Sequence, residues 1–111
     1  MKIEIKINND ALIAVNSILQ NVYDVSVSVS TIENVYISIG YDLADMFDTK
    51  LKRKIKKADL FDQKKLINFT FKFYQAWALH RLLIALKPFA DSAFKKQQIQ
   101  IVIDKLDVKL C

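Results

Sequence analysis

The chain is 111 residues long, with 52% hydrophobic and 26% charged residues and a net charge of +5. That length makes a single domain, 1–111, able to bury roughly 65% of the surface its unfolded chain exposes, and the apolar content excludes a disordered segment. One glycine, one proline and one cysteine exclude turn-rich sandwiches, glycine-cradled phosphate loops and an internal disulfide, which leaves long elements with few turns, mostly helix.

The first stretch, "MKIEIKINND", interleaves charges with isoleucines and contains no apolar core of a signal peptide. Its period of two puts Ile3, Ile5 and Ile7 on one side of a strand, with Lys2, Glu4 and Lys6 on the other. Asn8 or Asn9 then caps a helix over 10–24, whose apolar face is Ala11, Ala14, Val15, Ile18, Leu19 and Val22. "VSVSVS" (25–30) alternates cleanly and reads either as a short strand or as an extended linker.

Ser30 and Glu33 fit a capping box. From Ile32 through Val35, Tyr36, Ile39, Leu43, Met46, Phe47 and Leu51 to Ile55, apolar residues step by threes and fours, which predicts a long helix over 31–58. Gly40 lies inside it at a cost of about 1 kcal/mol relative to alanine, a cost that a close helix crossing would explain. Residues 59–65 are a polar connection. "LINFTFKFY" predicts a second strand with Phe69, Phe71 and Phe73 on one face, as core, and Asn68, Thr70 and Lys72 on the other. Gln75–Leu86 is a third helix, apolar on several sides and therefore central, with Trp77 as a packing residue, and Pro88 breaks it. Asp91 or Ser92 caps a fourth helix with the stripe Ile99, Val102, Ile103, Leu106 and Leu110. A strand reading of "QIQIVI" fails at Asp104–Lys105. The expected fold is α+β and mostly helical, with about four helices and a small two-stranded ribbon. Two βαα halves related by a pseudo-two-fold axis would pair their strands antiparallel.

Few residues suggest chemistry. His80 is the only histidine and Cys111 the only cysteine, too few for a structural zinc site. A general base at His80 would need a nucleophile and an orienting partner, and spacing identifies neither. Asp42, Asp45 and Asp48 step by threes and read as a solvated helical face. No catalytic, cofactor or metal residues are expected, and no enzyme.

The charge is unevenly placed. Residues 1–49 carry two lysines against seven acids, residues 50–57 six cations and no acid, and residues 58–111 nine basic residues against five acids. In the run "KLKRKIKKAD", Lys50, Arg53, Lys54 and Lys57 stand at i, i+3, i+4 and i+7 and share one face of a helix. Such a face suits phosphates. It also suits the C-terminal end of a helix dipole.

The segments "MKIEIKINNDALIAVNSIL", "LINFTFKFYQAWALHRLL" and "IQIVIDKLDVKL" resemble small uncharacterised proteins of bacterial conjugative elements and prophages. The resemblance implies an accessory, non-catalytic role and brings no functional residues with it. The resulting expectation is a cytoplasmic, non-enzymatic interaction protein that self-associates as a homodimer. A helix of 28 residues, roughly 42 Å long, exceeds what so small a globule needs and motivates that expectation. The alternative is a nucleic-acid-binding accessory protein using Lys50, Arg53, Lys54 and Lys57. No cofactor, membrane or small-molecule partner is expected.

Overall fold

The computed structural model describes residues 2–21, 31–56 and 66–110, apart from the side chains of residues 31–33, 36, 55 and 56. The elements run β1 (Lys2–Ile7), α1 (Asn9–Leu19), α2 (Thr31–Lys56), β2 (Ile67–Lys72), α3 (Phe73–Leu86) and α4 (Ala93–Leu110), with a 3₁₀ turn at Lys87–Phe89. This is the expected mostly helical α+β fold, with four helices and one two-stranded ribbon among the described residues. β1 and β2 pair antiparallel, with Ile3 opposite Phe71, Ile5 opposite Phe69 and Ile7 opposite Ile67. The period of two therefore turns a single inner face of isoleucine and phenylalanine onto the helices.

Local signals set most boundaries. The Ala11 N–H donates to Asn8 Oδ1 (2.8 Å), so Asn8 is the cap of α1, and Asp10 favours its first turn. α1 is shorter than 10–24: it ends at Leu19 in a 3₁₀ turn over 20–21, and the remaining residues of that range lie outside the described ones. So does "VSVSVS". At the fourth helix the Lys95 N–H donates to Ser92 Oγ (3.1 Å), which makes Ser92 the cap, while Asp91 pairs with the Lys95 ammonium (3.2 Å). "QIQIVI" is helical throughout.

Two expectations are corrected. Phe73 does not continue the second strand; it opens α3 and is exposed. The ladder ends where Lys72 meets Lys2, and the Lys72 N–H turns to Gln75 Oε1 (2.9 Å), which starts the helix at once. α3 is also not surrounded. Ala76, Ala78, Leu79, Leu83 and Leu86 are buried, but Trp77 and Ile84 face outwards.

The core is one cluster that all four helices and both strands supply. Phe47 of α2 stacks on Phe69 (centroids 4.4 Å) and lies 6.2 Å from Phe71, joining α2 to the inner face of the ribbon. Along α2, Leu43, Ala44 and Phe47 are buried, Ile37, Ile39, Met46 and Leu51 pack at the margin, and Val35 is exposed. Its 26 residues span about 39 Å, close to the 43 Å long axis of the molecule. Gly40 is buried. One turn on, the Ala44 carbonyl accepts a hydrogen bond from Gln20 at the end of α1 (3.3 Å). A side chain reaches a mid-helix carbonyl only where two helices come close, and the small residues Gly40 and Ala44 allow that approach. Among the described residues, no helix is long and apolar enough to cross a membrane.

Candidate functional site

The outer face of the ribbon presents Lys2, Glu4 and Lys6 from β1 and Asn68, Thr70 and Lys72 from β2, all exposed. Lys6 and Asn68 are ladder partners, and a helix lysine takes the carbonyl of each. Lys105 of α4 donates to the Lys6 carbonyl, and Lys50 of α2 donates to the Asn68 carbonyl at 3.5 Å. The Lys50 ammonium also sits 5.4 Å from the Phe69 ring centroid, a cation–π contact. One carbonyl of each strand is thus taken by a lysine, and charged lysines at strand edges discourage edge-to-edge pairing.

These contacts bring α2 to one edge of the ribbon and α4 to the other, and their cations come with them. Three grooves that border the ribbon are lined by Lys6, Lys105 and Lys109, by Lys50, Arg53 and Lys54, and by Lys2 and Lys72. Eight cations from four elements therefore border the ribbon, and among the described residues Glu4 is the one acid lining these grooves. Lys2 stands directly opposite Lys72 in the ladder. Like charges in that position destabilise a sheet, so this end of the ribbon favours an anion between them.

Of the residues expected from sequence, Lys50, Arg53 and Lys54 lie along one groove beside the start of β2, together with Leu66, Ile67 and Asn68. Lys57 lies outside the described residues. Lys52, in the same run, pairs with Asp48 (2.9 Å), and that carboxylate holds its ammonium above the ordinary lysine range. Lys2, Lys6, Lys72, Lys105 and Lys109 are the part that sequence reasoning missed. The strand alternation did mark Lys2, Lys6 and Lys72 as outward. Nothing local tied them to the basic end of α2.

His80 has the orienting partner that spacing could not supply. Its Nε2 bonds Asp107 of α4, while Nδ1 is buried with no hydrogen-bond partner among the described residues. The proton then belongs on Nε2, because a buried N–H without an acceptor is costly. Seven residues on, Lys87 donates to Gln100 (2.6 Å), whose amide donates to Asp104 (2.8 Å). α3 and α4 run antiparallel, and these bonds tie them along one flank. Asp107→Ala is expected to cost about 1 kcal/mol, since the carboxylate side chain is half exposed and a hydrogen bond of this kind contributes about that much. Thermal unfolding reads the loss.

Asp42 and Asp45 are exposed on α2, and no group of three or more His, Cys, Asp or Glu residues stands ready for a metal ion among the described residues. Compared with known proteins, the chain matches no protein-family model, no curated protein and no solved structure.

Proposed function

We infer that this chain is a small, non-enzymatic, cytoplasmic accessory protein that binds the phosphate backbone of nucleic acid across its ribbon. The observation that carries the reading is that eight cations from β1, β2, α2 and α4 line three grooves bordering the ribbon, with Glu4 as the acid lining them among the described residues. Neutralising phosphates with such a surface releases counterions and gives affinity without base readout. The opposed Lys2 and Lys72 point the same way, because an oxyanion between them would remove their repulsion. The one histidine serves as a tie between two helices, which suits a binding protein.

The test is fluorescence anisotropy with random-sequence duplex and single-stranded DNA between 50 and 200 mM salt, roughly the range over which such contacts lose most of their affinity. The expected result is binding at low salt whose logarithm falls linearly with that of the salt concentration. Charge reversal at Lys50, Arg53 and Lys54 on α2, or at Lys105 and Lys109 on α4, should weaken binding and lower the slope by about one unit per phosphate contact removed. Lys96→Glu is the control, about 20 Å along α4 from Lys109, and should leave the slope unchanged. An absence of binding at low salt removes the reading, and so does an equal response to all three sets.

A further inference from the structure

The helix that closes the core from one side carries a second apolar stripe on its outside. On α3, Tyr74, Trp77 and Ile84 are 52%, 38% and 48% exposed, and Arg81 is the charge between them. Their spacing is three, four, three, the repeat of a helix–helix seam. A surface helix packed on one side ordinarily turns polar residues to solvent there. The stripe also has an internal symmetry. Reversing a copy of the helix about the level of Leu79 sets Trp77 against the partner subunit's Arg81 and Tyr74 against the partner subunit's Ile84. Every position meets a complementary one, an aromatic face against a cation and an aromatic ring against an aliphatic chain. Within one chain the Arg81 guanidinium already lies 5.2 Å from the Trp77 ring centroid, so it is placed to lie between two indoles. A parallel pairing would instead set Arg81 against Arg81.

We propose that the outer face of α3 is an isologous homodimer interface, in which two copies pack antiparallel and exchange Arg81–Trp77 contacts across the two-fold axis. Tyr74 also lines the groove of Lys2 and Lys72, but Trp77 and Arg81, the two residues the test changes, line none of the ribbon grooves, so the dimer is tested apart from the nucleic-acid reading. Closed two-fold pairing of one patch with itself is the commonest form of assembly, and tryptophan and arginine are the side chains that dominate such contacts.

The experiment is sedimentation equilibrium on the full chain. The expected result is a reversible dimer, twice the 12.8 kDa of one chain. Trp77→Lys sets a second cation against Arg81, and Arg81→Glu sets an anion against the negative face of the indole. Each variant alone should dissociate with a Kd raised at least about thirtyfold. An equimolar mixture of the two should dimerise again. The ammonium introduced by Trp77→Lys in one chain then meets the carboxylate introduced by Arg81→Glu in the other, while the remaining Arg81 and Trp77 stay paired. Both positions are exposed, and circular dichroism melts verify that each variant folds. Recovery in the mixture alone requires the antiparallel pairing. A wild-type chain that stays monomeric up to millimolar concentration overturns the proposal, as does a mixture that stays monomeric. A face reserved for a different protein would give the first of these results.

Discussion

Phe47→Ala is expected to lower the free energy of unfolding by about 3–5 kcal/mol, the usual cost of deleting a fully buried ring whose cavity cannot collapse. Phe47 is 0% exposed and stacks at 16° on Phe69, with Phe71 at 6.2 Å. With the Lys50 contacts to Asn68 and Phe69, it fastens α2, and with it the basic edge at Lys50–Lys54, to the ribbon. A domain of this size has roughly 5–15 kcal/mol in all, so the variant should sit near the limit of folding. Urea unfolding followed by circular dichroism measures the loss. Phe89→Ala is the comparison: that ring is 71% exposed, and its removal should shift stability by no more than about 0.5 kcal/mol. Similar small losses for both would mean that α2 does not pack on the ribbon as described.

Gly40→Leu separates helix propensity from packing. Propensity alone favours the change by about 0.8–1 kcal/mol, because glycine is a poor residue inside a helix. Packing opposes it. Gly40 is buried one turn before Ala44, where Gln20 of α1 reaches the backbone carbonyl, and extra methylenes in a filled space cost about 1–3 kcal/mol. The net result should be destabilisation in the same unfolding assay. Gly40→Ala reports how much room remains: a gain means that one methyl fits, a loss that the helices already touch. Stabilisation by leucine would show that no close crossing exists at this position.

Much of the fold was legible because it is written in local rules. The alternation of Ile3, Ile5 and Ile7 marks β1 over Lys2–Ile7, and the threes and fours around Leu43 and Phe47 mark α2. Asn8 and Ser92 announce helix starts through hydrogen bonds that span three residues. Where the reading failed, the deciding partner was distant or the local pattern had two meanings. Phe73 fits the alternation of "FTFKF" as well as it fits a helix start. The ladder and the Gln75 side chain chose the helix. Trp77 looked like core because an apolar residue among apolar residues usually is.

The sequence by itself determined the order of the described elements, the inner face of β1, the Phe69–Phe71 part of the inner face of β2, and the caps to within one residue, since each depends on backbone preferences and side chains within one or two turns. Only the tertiary structure decided which charges share a surface and which apolar faces are covered. The antiparallel register sets Lys2 against Lys72, and contacts between elements far apart in the chain bring Lys50 and Lys105 to opposite edges of one ribbon. Likewise Asp107 meets His80 across 27 residues, and Tyr74, Trp77 and Ile84 on the outside of α3 stay partly exposed. Periodicity states that a face is apolar or charged; what lies against that face is set by how the whole chain packs.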